Sequence, residues 1–271
     1  MLNRLPVAEA HISLSGVGKT FVRGVQKTVA LKEVELGIGK GEFVAVVGPS
    51  GCGKSTLLRL VSGLSMPSEG SVKILQEQVA GPRPDTGIVF QKPTLVEWRD
   101  ILGNVLLQLE LRGLTAKEDR ARAEFLLGAV GLKGFMHRYP HELSGGMQQR
   151  AAIARGLVHR PSILLMDEPF GALDALTREQ MRLDLEGLWM RERMTVFFIT
   201  HSIDEAVLLA DRVVVMTPRP GSIDSVFEVG LSRPRGLSAR NDPIFTSLVD
   251  RITKIFLARG VLDEHRSSFS S

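Results

Sequence analysis

Along the first part of the chain, apolar residues alternate with polar ones or gather in short runs, as in strands. His11–Leu14 alternates, and Thr28–Leu36 is strand-like around Val29, Leu31 and Val34. Gly39 and Gly41 mark a turn, and Glu42–Val47 follows as a short apolar strand ending at Gly48. Ser55–Leu64 has helical spacing and is closed by Gly63 and Pro67. Short strand signals broken by Gly and Pro run from Gly70 to Phe90. The period then changes. Leu106, Leu107, Leu109 and Leu111, then Ala121, Phe125, Leu126, Leu127 and Val130, recur at helical spacings and predict a mainly helical insert over residues 98–143.

Beyond the insert, helices and strands alternate. Helices are expected over Gly145–Val158, Leu176–Arg191 and Ile203–Ala210, and strands over Ile163–Met166, Val196–Ile199 and Arg212–Met216. That alternation implies an α/β fold with a largely parallel sheet and helices on both faces. Ser232–Asn241 is rich in Arg, Pro and Gly and reads as a linker, and Pro243–Ala258 as one more helix. The last residues, Glu264–Ser271, are expected to fray. No internal repeat is visible.

Composition narrows this only a little. The 271 residues suffice for one large domain, or a domain with a small appendix. With 44% hydrophobic and 24% charged residues the chain is an ordinary globular one. A net charge of +4 suits an anionic ligand, an anionic membrane surface or merely a basic solvated surface, and does not choose among them. One cysteine, Cys52, allows no internal disulfide and fits a reducing compartment. Met1–Ala10 lacks the pattern of a secretory leader, and no apolar run is long enough to span a bilayer.

Two stretches carry chemistry. Gly48-Pro49-Ser50-Gly51-Cys52-Gly53-Lys54-Ser55 fits G-x-x-x-x-G-K-[ST] between a predicted strand and a predicted helix. Its glycines let successive N–H groups converge on one anion, and the helix that begins through Ser55 and Thr56 adds its positive end. Lys54 would reach the β- and γ-phosphates of ATP, and the Ser55 hydroxyl would ligate Mg²⁺. Cys52 is read as a space-filler with an exposed backbone N–H. Ile163–Met166 leads into Asp167-Glu168, two carboxylates beyond a strand's carboxyl end, where ligands of α/β sheets bind. Asp167 is placed to hold the Mg²⁺ shell. Glu168, pointing the other way by strand alternation, would polarise a water for attack on the γ-phosphate.

Leu143-Ser144-Gly145-Gly146-Met147-Gln148-Gln149-Arg150 resembles the signature motif of ABC ATPases. The order of phosphate loop, Gln91, signature, Asp167–Glu168, Asp174 and His201 agrees with that family. The resemblance implies its fold: a P-loop ABC nucleotide-binding domain with an N-terminal antiparallel β subdomain and the helical insert. Residues 1–235 would form the ATPase domain and 236–271 a short helical extension. Ser144, Gly145, Gly146 and Gln148 would cap the nucleotide held by a second copy, although Ser followed by glycines is equally the pattern of a plain helix cap. Gln91 would touch Mg²⁺ and the attacking water, His201 the γ-phosphate, and Asp174 the dimer interface. Phe21 falls where the family stacks an aromatic ring on adenine, with a buried core role as the competing reading.

The family also implies partners. They are a second copy in an ATP-sandwich dimer, membrane permease subunits on other chains and, indirectly, a solute-binding protein. The subunit would lie at the cytoplasmic face of the membrane and bind no nucleic acid. Val79–Gln91, Glu97-Trp98-Arg99 and Arg233-Pro234-Arg235 are similar to the importer group for nitrate, sulfonate, taurine and bicarbonate. Glu97 replaces that group's usual Pro. The competing readings are the detached ATPase of an exporter or lipid-transport system and a non-transport ABC ATPase. The permease contact is expected around Lys92–Ile101, with Trp98 either anchoring it or packed inside the insert. The last helix reads either as a docking element or as a cover for the sheet.

Overall fold

A computed structural model describes residues 10–114 and 117–261. The expectations for Glu264–Ser271 and for most of Met1–Ala10 lie outside the described residues. Contacts divide the chain into two units, 10–81 with 198–261, and 82–197.

In the first unit, β1 (Ile12–Arg23) and β2 (Gln26–Ile38) form a long antiparallel hairpin, paired from Ile12 opposite Ile38 to Arg23 opposite Gln26 with register shifts between Leu14 and Thr20. A shorter strand β3 (Phe43–Val47) follows, buried at every position. It delivers the chain to α1 (Lys54–Val61). The strands β4 (Glu69–Ile74) and β5 (Glu77–Gln78) complete an antiparallel sheet of order β2-β1-β4-β5. This is the expected antiparallel subdomain. Both hairpin strands run further toward Gly24 than expected, because their outer halves are exposed and lack apolar alternation.

The unit's second sheet places β3 parallel to β9 (Arg212–Met216), with β10 (Ile223–Glu228) antiparallel on β9. The sequence reading assigned no strand to β10, which has one buried residue, Phe227, and hence little hydrophobic signal. Two helices cover this region. The first, α6 (Ile203–Leu209), buries Ala206–Leu209. The second, α7 (Pro243–Ala258), packs on α6 through Phe245, Leu248, Ile252 and Phe256, one stripe at helical spacing. Each of those side chains contributes about 1.5–3 kcal/mol by leaving water. The extension therefore covers its own unit.

The expected linker is a correction. Arg235 is only 2% exposed. Its guanidinium donates to the carbonyls of Val207, Leu208 and Ala210 at the end of α6, and to those of Val229 and Leu231. Arg233 donates to the Leu209 carbonyl and to Asp211, which itself accepts from the Phe43 N–H. A helix end leaves unpaired carbonyls, and these two side chains satisfy them. The composition is that of a linker, but the donors make the segment a clamp.

In the second unit, β6 (Thr86–Val89) and β7 (Ile163–Asp167) are parallel neighbours. The insert contains α2 (Ile101–Glu110), α3 (Lys117–Ala129) and two short 3-10 turns, Lys133–Phe135 and Pro140–Glu142. Then come α4 (Gly145–Leu157), packed on α2, α3 and β6, and α5 (Ala175–Glu192). The last strand, β8 (Thr195–Ile199), spans the division of the chain. Among the described residues no helix is long and apolar enough to cross a membrane.

Candidate active site

The phosphate loop belongs to the first unit. Gly51 and Gly53 lie in the left-handed region, at φ +73° and +111°, and a Cβ on Gly53 would stand 2.7 Å from the Leu31 side chain. Gly53 is the N-cap of α1, which has no side-chain cap. By contrast α2, α4, α5, α6 and α7 each begin with a side-chain oxygen accepting an amide of the first turn. The start of α1 thus relies on something other than a capping side chain to satisfy its amides, and a phosphate is the fitting acceptor.

Lys54 is buried and donates to the carbonyls of Gly48 and Pro49, at 2.7 and 3.1 Å. Pro49 is half-buried, while Ser50 and Ser55 are exposed and Thr56 is half-buried. Cys52 corrects one expectation. Its N–H is not exposed but donates to the Pro49 carbonyl at 3.3 Å. Burial pushes its thiol up, against the pull of the Lys54 charge, so the side chain fills space as a neutral thiol.

Phe21 lies on β1 at 46% exposure, which removes the core reading, and the Lys19 ammonium sits 5.3 Å from its ring centre. His201 follows β8 and is exposed. The turn carrying it is fixed by buried Thr200, whose N–H donates to Val46 O and whose hydroxyl donates to Glu205 at 2.6 Å. Thr200 has no role in the sequence reading, because a Thr beside the histidine carries no signal of its own.

In the second unit, β7 ends at Asp167 and both Asp167 and Glu168 are half-buried. Glu168 is not in strand geometry. Its φ is +46°, so alternation does not set its direction. A non-glycine residue in that region is costly and marks a position held by its surroundings. The Gln91 amide donates to the Glu168 carboxylate at 3.0 Å, so the structure brings these two candidates together. A carboxylate so placed can accept a proton from water, and the amide steadies it.

Ser144 is the N-cap of α4, its hydroxyl accepting from Met147 N at 3.3 Å. Ser144 and Gly145 are exposed, and a Cβ on Gly145 would meet nothing within 4 Å. Gln148 turns back on its own loop, donating to the carbonyls of Pro140 and Leu143. Gln149, part of the motif but given no role of its own in the sequence, is 1% exposed and donates to the Phe90 carbonyl at 3.0 Å, tying the signature helix to the residue before Gln91. Asp174 is exposed and caps α5 through Thr177, whose hydrogen bonds hold its carboxyl below the ordinary range. Trp98 is 80% exposed and does not pack inside the insert. The loop around it is pinned by buried Asn104, which exchanges hydrogen bonds with Val96 and donates to the Arg99 carbonyl.

The donors fit magnesium. Mg²⁺ prefers oxygen and takes much of its shell from water and phosphate, with one or two protein ligands. No group of three or more His, Cys, Asp or Glu that could hold a metal occurs among the described residues. The Ser55 hydroxyl at the start of α1 is the kind of single donor that Mg²⁺ uses.

The ABC transporter family profile matches residues 31–171. A nitrate import ATP-binding protein of Synechocystis is 42% identical, over 92% of this chain and 96% of its own. An aliphatic sulfonates import ATP-binding protein of Burkholderia lata is 47% identical, over 94% and 75%. An uncharacterized ABC transporter ATP-binding protein of Methanocaldococcus jannaschii is 49% identical, over 84% and 85%. Among solved structures, the dimeric post-hydrolysis state of an ATP-binding cassette with ADP and Pi superposes with a TM-score of 0.74 at 35% identity, covering 82% of this chain and all of that one.

Proposed function

The chain belongs to the ABC transporter family and is an ATPase of that fold, and from that premise we propose that it powers an importer of a small anionic solute. The observation that carries this is the pairing of an uncapped α1 start behind a phosphate loop with relatives named for nitrate and sulfonate import. Residues 1–235 serve as the ATPase domain and 236–271 as an extension of it.

In the first unit, the loop amides and Lys54 bind the ATP phosphates, Phe21 stacks on adenine, and His201 contacts the γ-phosphate. In the second, Glu168 draws the proton of the attacking water, with Gln91 holding its carboxylate. General base assistance of this kind is worth about 10²–10⁴ in rate. Ser55 would hold Mg²⁺, as would Gln91 and Asp167, and the ion would neutralise charge developing on the phosphates. Ser144, Gly145, Gly146 and Gln148 act in trans on the nucleotide of a second copy, and Asp174 lies at that interface. Dimeric relatives support the two-copy arrangement. The subunit works at the cytoplasmic face of the membrane, and Trp98 anchors a permease segment. Indole is a frequent hot spot at such contacts, and this one is exposed.

The test is copurification. Glu168→Gln, tagged and solubilised mildly from native membranes with ATP, should stall hydrolysis and retain its partners. A multi-span permease together with a solute-binding protein supports import. Recovery of ribosomes, or of no membrane protein, overturns it.

A further inference from the structure

The turn at residues 217–222 has no part in the site described so far, yet it abuts the phosphate loop within the same unit. It is fixed at three points. Gly221 donates to Ala30 O and accepts from Lys32 N, joining the turn to β2. Thr217 N donates to Ser222 O, closing the turn on itself. A Cβ on Gly221 would stand 1.9 Å from Cys52 O, so only glycine lets the turn lie this close. From that base, exposed Arg219 donates twice to the Gly51 carbonyl, from Nε at 3.2 Å and Nη2 at 2.9 Å.

That carbonyl is a strategic atom. A peptide unit is planar and trans, so the carbonyl of Gly51 and the N–H of Cys52 point in opposite directions. Glycine at 51 places no side chain against rotation on its side of this peptide, so the peptide can turn at low cost. A flip would turn a carbonyl oxygen toward the phosphates. Arg219 holds the carbonyl while the Pro49 carbonyl takes the Cys52 N–H, so the peptide is held at both ends.

We propose that Arg219 is a positioning residue of the phosphate loop, gripping the Gly51 carbonyl so that this oxygen does not turn toward the nucleotide phosphates. This rests on the ATPase reading above. It acts through the loop and touches no substrate, so its effect depends on the phosphates a ligand carries.

The experiment is a titration of the full chain with ATP, ADP and AMP, by competition against a fluorescent ATP analogue. Arg219→Ala should weaken ATP and ADP by about tenfold, the size of a partly exposed charge-assisted contact, and AMP by less than about twofold. Arg219→Lys should recover about half of the loss on a logarithmic scale, because an ammonium reaches the carbonyl with one donor instead of two. In turnover the loss should fall on KM for ATP more than on kcat. Arg219→Gln, which keeps a donor, provides a second variant if the Ala form is poorly folded. Unchanged ATP affinity in Arg219→Ala, or equal loss for AMP and ATP, overturns the proposal. Lys54→Ala, run alongside, separates the two readings: if it too leaves ATP binding intact, the phosphate-loop assignment fails, not the role of Arg219 alone.

Discussion

Two helix starts in this chain use the same parts in opposite ways. Both α1 and α4 begin at glycine-containing turns. At α1 the glycines are demanded from within, since Gly51 and Gly53 have positive φ and Gly53 lies against Leu31. No side chain caps this helix. At α4 the Ser144 hydroxyl already serves as cap, and Gly145 faces open space. Nothing in the fold of its own unit requires a glycine at 145. The first start is a socket finished by its ligand. The second is self-sufficient alone, so its glycine makes physical sense if something from outside packs onto it.

The largest expected effect tests the internal demand. Gly53→Ala adds a Cβ at φ +111° against Leu31 and should lower ATP affinity by about 100-fold or more, with strain on the order of 1–3 kcal/mol in thermal unfolding. Gly145→Ala tests the external demand. It should leave Tm and ATP affinity as they are, while ATPase activity of the assembled transporter falls by about tenfold or more. Unchanged activity would show that nothing packs on Gly145. Ser144→Ala should cost about 1 kcal/mol of stability as a lost cap, and Ser144→Asn should restore that stability.

The smallest effect distinguishes the far end of α4. His159 follows this helix, and burial together with Arg112 and Arg122 lowers its pKa from 6.5 to about 4, against the opposing pull of the Thr86 backbone and Asp85. Between those values the unfolded chain binds the extra proton. Stability therefore falls as pH drops from 6.5 toward 4, and this contribution is flat above 6.5. The residue is partly exposed, so screening leaves about 1 kcal/mol or less. Urea unfolding at both ends of that window should show a shallower slope in His159→Gln.

The sequence made the local devices legible and left the bracing unread. The phosphate loop, the strand into Asp167 and α7 follow from glycine spacing and hydrophobic period, and α7 matches its expected bounds, Pro243–Ala258. The antiparallel subdomain followed from the family resemblance. The direction of Glu168 did not follow, because a left-handed residue breaks the alternation that strand reasoning assumes. Gln149, Thr200 and Arg219 were given no role of their own for a common reason. Each acts through backbone atoms of residues distant in the chain, at Phe90, Val46 and Gly51, and such pairing has no periodic signature.

Arg235 also decides where this chain can be cut or joined. Its donors terminate α6, the helix that starts just after His201. A fragment or chimaera with its junction at Gly236 keeps that termination intact. One joined at Gly230 strips the last carbonyls of α6 of their partners, at about 1–3 kcal/mol for each buried group left unpaired. The loss would then reach the turn that carries His201 from its far side. For anyone exchanging tails between transporters, the usable seam lies in the part of the linker-like stretch that follows the arginine pair, and not ahead of it.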